Sequence, residues 1–486
     1  MQPITVVVAM IAWTVIAVII AAAARRGMGQ GASEFFLGGR RIGGFVSGMT
    51  YAATTYSAFM LVGLVGLTYR SGVGALGFEM TYLIFTVLFL IVFGPRFWLV
   101  GKRHGHITPP ELLGFRYESK WVSFVAAIIS FVMLIPYSAV QLIGAGLLVS
   151  GLTGGQVPFM VGVLVMAVLA GVTALWAGMR SVSWTDAFQA ITMIVTSVIA
   201  VVFVAFQFFD APAGLFSAVE ANQPELLEFT WSPALFFGLT LPWAFFALTN
   251  PQVSQRLFIP DRLRSMRRMI IYFAVFGFLY TIISTLFGFA ATQIVPGLEN
   301  PDAAMPELLA RLPVALAVIL FIGIFAAASS TLGSIILTLS SLFTRDVVKV
   351  IKPDISEKSE RVIAQVAMVI LLSLCVGFAS LQLGLIAVLS SMASGGLWVM
   401  APAIIGAFFW KRATTPAALW SMAIGAVVTG VLYLTGFYPL GWWPSVWGAG
   451  LTTILFVCIS LVTAPPPGGA KFIESLEQEL VDRKLR

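Results

Sequence analysis

Long apolar runs separated by short polar or basic stretches repeat along the entire chain. A helix needs about 20 predominantly apolar residues to cross ~30 Å of hydrocarbon. Thirteen runs have that length, near 3–24, 42–70, 75–100, 121–152, 157–178, 184–209, 232–250, 267–296, 307–343, 362–384, 385–410, 415–436 and 444–463. The pattern predicts an all-α polytopic membrane protein with thirteen transmembrane helices. The 307–343 run reads as one tilted helix or as a helix with a broken start, and only a tight turn around Gly384 parts 362–384 from 385–410.

Composition sharpens this picture. The chain of 486 residues is 59% hydrophobic and 10% charged, with mean hydropathy +0.97, whereas soluble domains carry about 25% charged residues. That leaves too few charges to coat a soluble enzyme, and it excludes a nucleic-acid binder built on the net charge of +7. Cys375 and Cys458 both lie inside apolar runs, so no disulfide scaffold is indicated. An odd number of spans puts the termini on opposite sides. With the N-terminus outside, every Lys and Arg except Arg70 and Arg311 falls in an inner loop or the tail, from Arg25 and Arg26 through Arg256 to Arg486. The acids Asp210, Glu220, Glu225, Glu228, Glu299, Asp302 and Glu307 fall outside, as the positive-inside rule requires. The first run, 1–24, has no basic residue before it and two after it, so it reads as a retained helix and not a signal peptide. The segment 464–486 reads as a cytoplasmic tail.

Two halves emerge once the first helix is set aside: 42–209 and 232–410, five spans each, with two further helices in 415–463. An odd repeat inverts the second half relative to the first, a common plan for transporters. The opening helix of each half carries break signals. The first has Ala52-Ala53-Thr54-Thr55-Tyr56-Ser57-Ala58 followed by Gly63 and Gly66. The second has Leu248-Thr249-Asn250-Pro251-Gln252, where Pro251 removes a helix hydrogen bond. Back-bonding hydroxyls or a proline kink explain either one alone. Matching breaks in both halves point to a lined cavity, since irregular backbone at membrane depth is tolerated there.

A third cluster runs Ala326-Ala327-Ala328-Ser329-Ser330-Thr331-Leu332-Gly333-Ser334, and Ala327, Ser330, Thr331, Ser334, Thr338 and Ser341 share a helix face. Close helix packing accounts for such a stripe by itself. A hard cation, which wants several oxygen ligands, gives it a second use: Ser330 and Thr331 facing loosened backbone near Ala53 and Tyr56 hold a monovalent ion without a carboxylate. Two acids lie in the spans. Asp186, opening a helix at the inner face, either caps that helix or relays a cation; Glu79 lies near the outer end of its span. No phosphate loop, H-E-x-x-H, C-x-x-C, G-x-S-x-G or K⁺-filter run occurs. His104 and His106 fall on an inner loop, where solvent or lipid headgroups are expected in place of a metal. The energy for accumulation must come from an ion gradient.

These residues, together with Phe36-Leu37-Gly38-Gly39-Arg40, Ile107-Thr108-Pro109-Pro110-Glu111-Leu112, Arg116-Tyr117, Gly178-Met179-Arg180, Thr185-Asp186-Ala187-Phe188-Gln189, Gln255-Arg256 and Phe409-Trp410-Lys411-Arg412, resemble the sodium:solute symporter family over nearly the full chain. Its members carry proline, pantothenate, monocarboxylates, sialic acid and glucose. The resemblance implies the inverted-repeat fold of a bacterial leucine transporter with Na⁺ as coupling ion. It implies a sodium site made from carbonyls of Ala53, Tyr56 and Ala327 with hydroxyls of Ser330 and Thr331. Asp186 and Ser334 correspond to a second cation site or relay, although Gly333 replaces a serine of relatives that hold a second sodium. Solute contacts fall on Ser57, Tyr137, Gln141, Trp243, Ala247 and Pro251. Thr55 and Ala247 depart from the proline carriers and disfavour proline. The expectation is a symporter of the cell membrane, not an enzyme, that imports a small organic solute. A carboxylate is preferred because helix breaks offer N–H groups to an anion. A proton-driven transporter of the same fold and a membrane sensor module are the alternatives. The expected partners are sodium, solute and the lipid bilayer, without nucleic acid; the assembly is left open, a monomer among the options.

Overall fold

The computed structural model describes residues 1–26, 29 and 31–485, so Arg486 of the basic tail lies outside the described residues. Among the described residues the chain is helical throughout, with one isolated bridge between Ile42 and Pro260 in place of any strand. Nine helices there are long and apolar enough to cross a membrane, or eleven when two bent pairs each count as one span. Those pairs are Gly44–Thr55 with Phe59–Ser71, bent by 51°, and Ile386–Trp398 with Ala401–Phe409, bent by 42°. Phe159–Leu175 and Pro233–Ala244 are apolar but shorter.

The surface inverts that of a soluble protein. Ile84, Val132, Val195, Ile271, Val369 and Val427 are all exposed, which water would penalise over so wide an area and hydrocarbon does not. The interior is rich in Gly, Ala, Ser and Thr, which let backbones approach closely. Val314–Ile351 is the most buried of the candidate spans and packs along both the first broken helix and the helix that runs through Asp186.

Two local departures from expectation matter for the site. The runs 157–178 and 184–209 are not separated by a loop. Two helices, Phe159–Leu175 and Gly178–Phe209, follow each other directly and meet at a kink at Gly178, whose φ of 59° and ψ of −162° suit glycine alone. A Cβ there would also collide with the Phe35 carbonyl oxygen. Asp186 therefore lies well inside the helix Gly178–Phe209 and does not cap its start. The 307–343 run resolves as the broken alternative: a short helix, Ala304–Ala310, precedes Val314–Ile351.

Contacts sort the connecting segments to two ends. At one end Arg40 donates to His106 O (2.6 Å), Lys102 to Asp261 O (3.0 Å), and Arg116 to Trp410 O (3.2 Å), and Arg345 pairs with Glu111 (2.6 Å). At the other end Tyr69 donates to Val295 O (2.9 Å), Asp302 accepts from Ile386 N (2.8 Å), and the N-terminal amine donates to Leu152 O (2.6 Å).

Candidate functional site

The first broken helix stops at Thr55, and Tyr56 adopts extended backbone (φ −94°, ψ 93°) before Phe59–Leu64 resumes the path. A helix end leaves its last carbonyls without intrahelical partners. The partners arrive from the hydroxyl-lined helix. Ser330 Oγ donates to Ala53 O at 2.8 Å and Thr331 Oγ1 to the same oxygen at 3.0 Å, with Thr54 O at 3.4 Å from Thr331. Ser330 Oγ also reaches Ala327 O, one turn earlier, at 3.0 Å. Ala53, Ala327, Ser330 and Thr331 thus meet at one point, entirely buried. Tyr56 follows directly in the break, its ring stacked on Phe273 at 5.5 Å. Every oxygen at this point is neutral, and a hydroxyl can rotate from donating to a carbonyl to presenting a lone pair to a cation.

One turn further along the same helix the chemistry changes. Ser334 lies 3.3 Å from Asp186 Oδ2, and Thr50 Oγ1 donates to that oxygen at 2.6 Å. The space beside them is taken by Arg256. Its side chain is fully buried, forms an ion pair with Asp186 at 3.3 Å, and also engages Ser334, Thr50 Oγ1 (3.2 Å) and Gln252 O (2.5 Å). The basic residue assigned to an inner loop is instead a core residue on the second broken helix. Asp186 and Ser334, expected as a second cation site or relay, thus lie together in an ion-pair network with the protein's own guanidinium. Thr54 Oγ1 bridges to Ser334 Oγ at 3.1 Å and links the neutral cluster to the charged one.

The second break follows the sequence closely. Asn250 is extended (φ −92°, ψ 105°) between Phe246–Thr249 and Pro251–Ser254, and Asn250 O accepts from both Val253 N and Ser254 N at 3.1 Å. Nearby, Trp243 stacks on Phe59 at 5.0 Å and on Phe246 at 5.1 Å, with Tyr82 edge-on at 5.3 Å and Tyr137 at 6.2 Å. Its Nε1 donates to Ser391 Oγ at 2.9 Å. Ala247 and Pro251 are buried beside it on the same broken helix. Ser57 and Gln141 face the first break, where Ser57 Oγ accepts from Phe59 N at 3.2 Å and Gln141 Oε1 from Ala58 N at 3.1 Å. All six residues expected to touch solute are therefore buried around the two breaks.

Three polar residues at the centre were named in the sequence but given no role there. Arg256 is one. Gln252, fully buried, leaves both side-chain amide atoms without a hydrogen bond in the protein. Glu79 is also fully buried, leaves both carboxylate oxygens unpartnered, and lies within electrostatic reach of Tyr56, Tyr82 and Tyr137. Buried polar groups are nearly always paired, so Gln252 and Glu79 stand out as central groups whose polar atoms the protein leaves unsatisfied.

Comparisons with known proteins place this geometry. The family model described as the sodium:solute symporter family matches residues 35–425. The chain is 26% identical over 446 residues to the sodium/pantothenate symporter of Escherichia coli (strain K12), covering 89% of this chain and 91% of that protein. It is 28% identical over 428 residues to the sodium/proline symporter of Haemophilus influenzae, covering 81% and 82%. Among solved structures, a Na⁺-coupled sialic acid symporter in a substrate-bound outward-open state superposes with TM-score 0.80 at 18% identity, over 95% of this chain and 98% of that one.

Proposed function

The chain belongs to the sodium:solute symporter family, and on that footing we propose that it imports a small organic solute by sodium-coupled alternating access, with sodium bound where Ala53 meets Ser330 and Thr331. It is a multi-pass transporter of the cell membrane and not an enzyme, and sodium is its coupling ion. One observation carries the assignment of the ion site: two hydroxyls from one helix converge on a carbonyl at the break of another, at 2.8 and 3.0 Å. Carbonyls of Tyr56 and Ala327 complete the proposed set. Unwound backbone carbonyls hold sodium in such folds, and a hard cation takes further oxygen ligands, which the two hydroxyls would supply.

Coupling follows from where the ion sits. A cation at Ala53 and Ser330 ties the first broken helix to the hydroxyl-lined helix, and so favours whichever state brings the two together. A ligand shifts a conformational equilibrium only by its differential affinity for the two states. In our reading sodium favours the state open to the outside, and solute occupancy at Ser57, Tyr137, Gln141, Trp243, Ala247 and Pro251 permits the switch. Thirteen spans, the two inverted repeats 42–209 and 232–410, and a cytoplasmic basic end complete the proposed topology.

The solute class needs revision from the expected carboxylate. That expectation relied on free N–H groups at the first break, yet Ala58 N and Phe59 N are both engaged by side chains. Near that break Glu79, on Val73–His104, leaves both carboxylate oxygens without a partner, alongside the unpartnered hydroxyls of Thr55, Tyr56 and Tyr82. We therefore assign the site to a solute that offers hydrogen-bond donors to Glu79 and an apolar body to the rings around Trp243. Uptake into proteoliposomes from a panel of labelled carboxylates, amino acids, polyols and sugars, with and without an inward sodium gradient, tests this. Gradient-driven accumulation of a donor-rich solute is expected; no sodium-driven accumulation of any of them sinks the proposal.

A further inference from the structure

The C-terminal helix Gly469–Asp482 lies across the basic end of the molecule with Phe472, Ile473, Leu476 and Leu480 turned inward. Ion pairs of Lys411 with Glu474 (2.7 Å) and Arg96 with Glu477 (3.0 Å) hold it there. Between this helix and the short helix Pro109–Arg116 lies a cavity of about 460 Å³, walled by Arg103, His104, Phe115, Arg116, Lys471 and Phe472 among others. Arg116 is built into it. The side chain is 1% exposed, Nε donates to Ala407 O at 3.0 Å, and Nη2 donates to Trp410 O at 3.2 Å. Its remaining nitrogen, Nη1, is buried and makes no hydrogen bond within the protein.

The charged side chains lining the cavity are mostly basic. Arg103 and Lys471 stand exposed at the rim, while desolvation and the neighbouring Arg103 lower the pKa of His104, so it adds no charge at neutral pH. Of the acids nearby, Glu118 Oε1 already accepts from Gly468 N at 2.6 Å, and Glu479 pairs with Arg483 at 2.9 Å. We propose that this cavity binds a phosphate-bearing anion, with Arg116 Nη1 at its floor and Arg103 and Lys471 closing over it. Guanidinium forks suit phosphate oxygens, and cations next to a bilayer attract anionic headgroups. The exposed ring of Phe115 and the flank of Phe472 suit the apolar part of a lipid, and a free phosphate offers the same anionic chemistry. Because Arg116 also grips the carbonyls that end Ala401–Phe409, occupancy would steady that helix end.

The test uses the full-length chain in two arms. In the first, nanodiscs of phosphatidylcholine with added phosphatidylglycerol are delipidated mildly, and native mass spectrometry titrates the retained lipid. In the second, inorganic phosphate is titrated against the detergent-solubilised protein by calorimetry. The variants are R103Q/K471Q at the rim and R264Q/K352Q, which removes the same charge elsewhere on the basic end. Both pairs are exposed, so folding is preserved. We expect one tightly retained phosphatidylglycerol, weakened about fivefold per rim cation and about 25-fold in R103Q/K471Q, with R264Q/K352Q within about twofold of the parent. Saturable inorganic phosphate with the same variant dependence, and no retained lipid, supports the site with a free anion as its occupant. Equal loss in the two variants, or rim variants that match the parent in both arms, overturns the proposal.

Discussion

Two polar clusters sit one helical turn apart on Val314–Ile351, and they solve burial in opposite ways. At Ser334 the protein supplies both charges: Asp186 and Arg256 neutralise each other, with Thr50 bound to both. At Ser330 and Thr331 it supplies only neutral oxygens around Ala53. In the proposed reading the first arrangement is closed, because an added cation would compete with a guanidinium fixed in place. The second accepts one in that reading, because its hydroxyls and carbonyl lose little by turning toward an ion. A stripe of small hydroxyl residues is thus not one site; what each part can do depends on whether the facing helix brings its own cation.

Cutting the closed cluster has the largest consequence. Asp186→Asn leaves Arg256 buried and unpaired, and should destabilise the fold by about 3–5 kcal/mol in thermal unfolding in detergent. Adding Arg256→Gln should recover much of that loss. Recovery of stability without recovery of sodium response would show that Asp186 serves the ion after all. Next comes the open cluster. Ser330→Ala removes one neutral oxygen, and bonds from such groups to a charge are worth about 1.5–3 kcal/mol, so half-saturation by sodium should rise roughly ten- to hundredfold. Protein stability should change by only about 1 kcal/mol.

Smaller effects sharpen the contrast. Glu79→Gln should weaken apparent solute affinity by about tenfold, near 1.4 kcal/mol, and leave sodium affinity unchanged in solute-free titrations. A shift of sodium affinity instead would place Glu79 in the ion site. Smallest is Thr54→Val, which removes the hydroxyl link from Thr54 to Ser334. It should cost about 1 kcal/mol or less and move sodium affinity by under about twofold, whereas a large shift would mean the two clusters act as one.

The open cluster was legible in the sequence because its logic is local. Helical spacing puts Ala327, Ser330 and Thr331 on one face, and the polar run from Ala52 to Ala58 marks the break that meets them. The closed cluster was not. Arg256 stands close to Arg262, Arg264, Arg267 and Arg268, so counting charges assigns it to a loop; its burial depends on Asp186, 70 positions away. Asp186 itself looked like a helix start because the apolar run 184–209 opens just before it, whereas the helix already begins at the Gly178 kink. Glu79 shows the same limit. Its lack of partners appears only once Tyr56 and Tyr82 from the first broken helix and its own helix are seen around it.

The sharpest single test is a sodium titration of thermal stability at constant ionic strength, with choline as the replacement cation, for the parent chain and for S330A/T331A. The account predicts saturable stabilisation of the parent by sodium and none of the double variant, whose fold survives because only neutral hydrogen bonds are lost. Sodium stabilisation of S330A/T331A with the parent's half-saturation would contradict it.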